Sequence, residues 1–231
     1  MNKKAIWVAS GVGLLLLLIS RRSEAAEVAM AVGEKATDLL NFVLGKKDKQ
    51  ATWVKAFATV AAPICERYGV PLQICLAQAA VESAWGKAAP GGNYFGIKGK
   101  GPAGSVVTAT KEEYTPGQMT TIKDSFAAYE NVAQSIEGWC KFVTAPRYIP
   151  PQGSDVGARL LWIWARGYAT ASKYPTAVQS VSKSIAARIG PQFAIKLSDA
   201  QLDLAKKLGN MKPLERQTAA LEIAKAGQWP V

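Results

Sequence analysis

The stretch LAQAAVESAWGK, Leu76 to Lys87, holds one carboxylate, Glu82, in a run that is otherwise small and apolar. Pro71 suits the first turn of a helix over 71–85, which puts Glu82 in the last turn before Gly86. A helix C-terminus carries partial negative charge, and apolar neighbours such as Ala79, Ala80, Val81 and Trp85 penalise ionisation. Both effects raise a carboxyl pKa. A carboxyl that keeps its proton at neutral pH is what general acid catalysis needs. The competing reading is a surface glutamate paired with Lys87, and the local pattern leaves both open.

Other chemistry is excluded by composition. The 231-residue chain contains no histidine, so Ser-His-Asp and Cys-His catalysis and the usual His-ligated zinc centre are ruled out. Its three cysteines, Cys65, Cys75 and Cys140, are too few and too scattered for a Cys₄ metal site. They are either three buried thiols or, in an oxidising compartment, a Cys65–Cys75 bridge and one thiol. Hydrolysis must then run on carboxylates, tyrosines, lysines or serines, and no metal or cofactor is called for. The net charge of +11 favours an anionic partner: nucleic acid, anionic lipid or cell-wall polymer. No nucleic-acid-binding motif accompanies it.

The elements that must position Glu82 are mostly helical. A helix is predicted over 52–68, with Pro63 as a kink or boundary and Gly69 as its end. The Gly- and Pro-dense segment APGGNYFGIKGKGPAG is loop. SVVTATKEEYTPGQMTTIKDSFAAY alternates β-branched residues around a TPGQ turn and reads as a β-hairpin. Helical patterns return at 131–144, 154–166 and 172–189, and two short ones at 198–208 and 213–226. Trp162 and Trp164 fall on opposite sides of one helix, so at least one belongs to the core. The order implies an α+β, predominantly helical fold, with a cleft between a helical lobe and a small β-lobe.

The N-terminus has a different character. The uncharged run 5–20 lies between Lys3-Lys4 and Arg21-Arg22 and reads as a membrane anchor over 1–22, with a cleaved signal segment as the rival. Residues 23–50 read as an amphipathic helix and a charged linker. The folded domain is assigned to 51–190 and a helical tail to 191–231, either a docking segment or helices packed on the core.

LAQAAVESAWGK followed by GGNYFGIKG resembles the core signature of the family-73 glycoside hydrolases, endo-β-N-acetylglucosaminidases that cut peptidoglycan, flagellar rod-assembly hydrolases among them. TKEEY, FAAYENVAQSIEGWCKFV, APRY and GYATASKYPTAV continue the likeness in order over roughly 55–190. The resemblance implies a lysozyme-like fold. It makes Glu82 the catalytic acid and Glu113 the second carboxylate, on the hairpin. Glu112 is adjacent, and successive strand residues face opposite sides, so only one can enter the cleft; Glu113 is the expected one, with Asp124 an outside candidate. Tyr168 and Tyr174 match site tyrosines, Tyr174 holding a water or an intermediate. Trp85, Asn93, Tyr94 and Phe95 would form a sugar platform, with packing as the rival role for Phe95. Gly96 would serve a tight loop.

The implied reaction is hydrolysis of the β-1,4 bond after N-acetylglucosamine. The second group would be a nucleophile at about 5–5.5 Å, a base at about 6.5–9.5 Å, or the substrate's own acetamido group. A lytic transglycosylase or muramidase on the same fold, and a non-catalytic peptidoglycan-binding protein, are the alternatives. Peptidoglycan lies outside the cytoplasmic membrane, so an anchored enzyme would face the periplasm or wall. The same layout would suit a phage enzyme of the virion membrane.

Overall fold

The structure is a computed structural model and describes residues 48–231. The expected anchor at 1–22 and all but the last three residues of the expected helix and linker at 23–50 lie outside the described residues. Among the described residues no helix is long and apolar enough to cross a membrane.

Helix α1, Lys49–Tyr68, begins a few residues before the predicted start and runs through Pro63 without a break. Pro63 and Thr59, whose carbonyl the ring leaves unpaired, are both on the exposed side, where water can satisfy it. Val54, Phe57, Ala61 and Cys65 form the buried stripe. Helix α2, Leu72–Glu82, is buried continuously from Ile74 to Ala80 and forms the centre of the domain. An apolar, Ala-rich helix of this kind has no polar face to present to water and must be covered on all sides. α1, α5 (Tyr174–Ile189) and α4 (Val156–Ala165) pack against it.

The β-lobe is one antiparallel hairpin, β1 Ser105–Thr115 and β2 Gln118–Ala127, turning at Pro116-Gly117. The pairing sets Glu112 opposite Thr120 and Glu113 opposite Met119, then slips between Glu113 and Thr115. Helix α3, Val132–Val143, follows, capped by the Asn131 side chain on Gln134 N. The three cysteines are free and buried.

The segment after α5 does not stand apart. Helices α6 (Asp199–Gly209) and α7 (Pro213–Lys225) pack on α4, and Ile195, Leu197, Leu208 and Trp229 join the core. Both tryptophans of α4 are therefore buried: Trp162 meets Trp229 edge-on at 4.9 Å, and Trp164 lies under Arg216. Residues 49–231 form a single compact unit.

Candidate active site

Glu82 is the last residue of α2, and the chain leaves it through an unusual turn. Ala84 and Trp85 have φ of 49° and 61°, in the left-handed region that side-chain-bearing residues rarely occupy, and Gly86 follows at 79°. Ser83 fastens this turn. Its Oγ donates to Ala79 O at 2.6 Å and accepts from Gly86 N at 2.8 Å. A Cβ at Gly86 would lie 2.1 Å from Trp53 Nε1, so the glycine is fixed by close packing as well as by φ. The strained turn stops the helix at the carboxylate, and strain of this kind clusters at functional sites.

The Glu82 side chain lines a cleft of about 370 Å³ with Phe95, Lys98, Glu112, Tyr168 and Tyr174. Tyr174, the first residue of α5, donates its hydroxyl to Glu82 Oε1 at 2.7 Å. Tyr168 donates to Phe95 O at 2.8 Å and holds the loop that carries Gly96. A Cβ on Gly96, where φ is 62°, would lie 3.2 Å from Glu82 Oε2, so the glycine keeps one face of the carboxyl open. Burial pushes the Glu82 pKa up to about 7; the Tyr174 bond pulls it down and the Glu112 charge pushes it up. No Lys87 pairing is formed, and the carboxyl is poised to be protonated near neutrality.

Of the two hairpin glutamates it is Glu112 that lines the cleft, whereas Glu113 was the one expected there. Lys98 Nζ sits 2.8 Å from Glu112 Oε1 and 2.8 Å from Asp124 Oδ2, bridging the two acids. Burial works against the Lys98 charge, but the two carboxylates outweigh it and hold its pKa above the usual lysine value. Asp124 is thereby a partner of Lys98. Glu113 points to the other side. Its oxygens accept from Gly117 N at 2.6 Å and Ser172 N at 2.8 Å. Burial raises its pKa, but these backbone donors and Arg216 outweigh it and hold the carboxyl below the ordinary value. Both glutamates are buried because the segment 169–172 covers the strand end: the Thr170 hydroxyl donates to Glu112 Oε2 at 2.7 Å and accepts from Glu113 N at 3.0 Å.

The residues expected to form a sugar platform are engaged within the fold. Asn93 is buried and spends its side chain on the loop, donating to Ile97 O and Ala127 O and accepting from Phe95 N and Ile97 N. Tyr94 packs against Phe57, and Trp85 meets Trp53 edge-on beneath Arg188. Neither lines the cleft. Phe95 does, but it is 1 % exposed and stacks on Trp139. Lys98 and Thr170 carried no signal of their own in the sequence; they become visible only when the hairpin is folded against the 167–174 segment.

An acid kept near its neutral form, facing a second carboxylate across a cleft, is the arrangement of carboxylate-dependent glycosidases. The chain belongs to the glucosaminidase family described as mannosyl-glycoprotein endo-beta-N-acetylglucosaminidase, whose pattern residues 58–187 match. It is 29% identical over 150 residues to peptidoglycan hydrolase FlgJ of Escherichia coli K12, covering 58% of this chain and 47% of that protein. It is 33% identical over 93 residues to exo-glucosaminidase LytG of Bacillus subtilis, covering 39% of this chain and 33% of that one. The chain thus spans less than half the length of these curated relatives. A crystal structure of a mutant peptidoglycan hydrolase from Sphingomonas sp. A1 superposes with a TM-score of 0.53 at 29% identity, over 60% of this chain and 97% of that one. The helical, lysozyme-like α+β fold with a two-stranded sheet agrees with these neighbours.

Proposed function

We propose that the protein hydrolyses the β-1,4 glycosidic bond after N-acetylglucosamine in peptidoglycan, with Glu82 as general acid. The observation that carries this reading is the Glu82 carboxyl itself, raised to about 7 by burial and held by Tyr174 at the floor of an open cleft. Glu82 protonates the leaving oxygen as the sugar ring flattens toward an oxocarbenium-like state. The negative charge of Glu112 stabilises the positive charge that develops, and Glu112 or the substrate's acetamido group completes the displacement. Tyr174 orients Glu82 and stabilises the carboxylate left after proton transfer. Tyr168 shapes the cleft wall, and Phe95 supplies its apolar floor.

Family membership, and the names of the peptidoglycan hydrolases that the chain resembles, support the polymer as substrate. The basic charge of the chain suits anionic wall polymers. The uncharged run 5–20 between two basic pairs supports an N-terminal anchor that holds the enzyme at the membrane, with the catalytic unit on the wall side.

The test is digestion of purified peptidoglycan with mass spectrometry of the new ends. A reducing N-acetylglucosamine end that disappears in Glu82→Gln is expected. A 1,6-anhydro-N-acetylmuramic acid end would instead make the enzyme a lytic transglycosylase, and binding without release of sugar would make it a wall-binding protein.

A further inference from the structure

Arg216 lies on α7, beyond the residues that match the family, yet it is only 2 % exposed. A buried guanidinium is costly unless its surroundings are built for it. Burial draws its pKa down to about 10, against the influence of Glu113, so it stays charged at neutral pH. Its Nη2 donates to Thr170 O at 2.9 Å and its Nη1 to Ala169 O at 3.4 Å, while its Cζ lies 4.2 Å from the centre of the Trp164 ring. The next residue, Gln217, accepts through its carbonyl from Arg166 Nη1 at 2.9 Å. One turn of α7 thus grips the 166–170 segment at both ends.

That segment is what holds the hairpin. Thr170 donates its hydroxyl to the Glu112 carboxylate and accepts from the backbone N–H of Glu113, and Ser172 N–H holds the Glu113 carboxylate. Glu112 has a second partner, Lys98, but the Lys98 side chain is 47% exposed and shared with Asp124. Without Thr170, Glu112 would keep only this half-exposed partner, move more freely and lose part of its repulsion on Glu82.

We infer that Arg216 is a positioning residue for the proposed reaction: it fixes the 169–172 segment, and through the Thr170 hydroxyl it sets the direction of the Glu112 carboxylate relative to Glu82. This rests on the reading of the cleft as a hydrolase site. The ionisable groups that line the cleft with Glu82 are Tyr174, Tyr168, Glu112 and Lys98, with Lys111 on β1 at its edge and Asp124 behind Lys98. Of these, Glu112 is the one joined to Arg216 through Thr170. A residue that only filled the core would lower stability and leave the titration of Glu82 in place.

The test is a carbon-13 NMR titration of the Glu82 carboxyl in full-length wild type and Arg216→Lys, with kcat and KM on peptidoglycan beside it. Lysine keeps the charge but cannot hold two carbonyls and stack on Trp164 together. The expected result is a Glu82 titration moved to lower pH, and a kcat reduced roughly tenfold with KM little changed, as misplacement of a catalytic group produces. Thr170→Val, which removes only the hydroxyl, gives the same shift, and Thr170→Ser restores the wild-type titration; this pair decides the matter if Arg216→Lys does not fold. An unmoved Glu82 titration in a folded Arg216→Lys protein, or in Thr170→Val, overturns the inference. Wild-type protein that binds peptidoglycan without releasing sugar would instead overturn the hydrolase reading, and persistent cleavage by Glu82→Gln would overturn Glu82 as its acid; in either case the titration still decides the role of Arg216.

Discussion

The Tyr174 hydroxyl donates a 2.7 Å hydrogen bond to Glu82 Oε1, across 92 residues of sequence. The bond favours the ionised carboxylate, so it opposes the burial that raises the pKa of Glu82. Tyr174→Phe should therefore raise the Glu82 pKa further. Activity of a general acid falls as pH rises through its pKa, so the alkaline limb of the pH–rate profile moves to higher pH in the variant. The maximal rate should fall by about 10- to 100-fold, because the acid loses its orienting partner. A limb that moves to lower pH would contradict the assignment.

Glu82 also makes a statement about stability. Its pKa is higher in the folded chain than the usual 4.5, so its ionisation disfavours folding. The penalty is absent below about pH 4.5, grows from there toward pH 7 and is complete above it. Glu82→Gln should thus be inactive yet more stable than wild type at pH 8, by up to roughly 3 kcal/mol, and nearly equal at pH 4. Urea unfolding at the two pH values measures the difference.

The neighbouring hairpin acids should part company. Glu112→Gln removes a negative charge that raises the Glu82 pKa, so the alkaline limb moves to lower pH while the fold persists. Glu113→Gln loses charge-assisted bonds from Gly117 N and Ser172 N beside Arg216. Its pKa is lowered in the fold, so its contribution is present above the unfolded value and lost as pH falls. The variant should be less stable at pH 7 by about 1–3 kcal/mol, with a smaller loss of stability at low pH. Thermal unfolding at both pH values, alongside a pH–rate profile, separates the two.

Gly96→Ala should be more damaging to activity than a methyl group suggests. The added carbon lies 3.2 Å from Glu82 Oε2, on a residue with φ of 62°. A stability loss of about 1 kcal/mol is expected from the backbone alone. Cleavage should fall by at least tenfold because the open face of the acid is covered. Wild-type kcat in this variant would mean that substrate approaches from another side.

Glu82 was legible only in part from its surroundings, which left a general acid and a surface ion pair both open until the ordered motifs after it were read as a family resemblance. A carboxylate at the end of an apolar helix, stopped by Trp-Gly, stood out as a candidate, and no histidine was present to do the work instead. The hairpin was legible from TPGQ and its β-branched flanks. The choice between Glu112 and Glu113 was not. Alternation says that only one of the two can enter the cleft, not which one, and the segment that covers both lies 57 residues further along the chain from Glu113. Asn93 is ambiguous for a different reason: a side-chain amide can serve a sugar or a loop, and the Ala127 carbonyl that it bonds comes from 34 residues along the chain. Arg216 had no local signal at all. It was one cation in a chain rich in them, and its burial depends on Trp164 and Thr170 arriving from elsewhere.

The placement of α7 bears on how this domain can be recombined. The stretch that matches the family stops at residue 187, before Leu208, Arg216 and Trp229 have closed over α4. Cut there, the fragment would present Trp162 and Trp164 to water and leave the 166–170 segment without its bonds to Arg216 and Gln217. The portable module is therefore longer than its recognisable signature. A gene fusion that joins at residue 187 carries Glu82 and Glu112 without the helix that grips the 166–170 segment, whereas one that carries 49–231 moves both together.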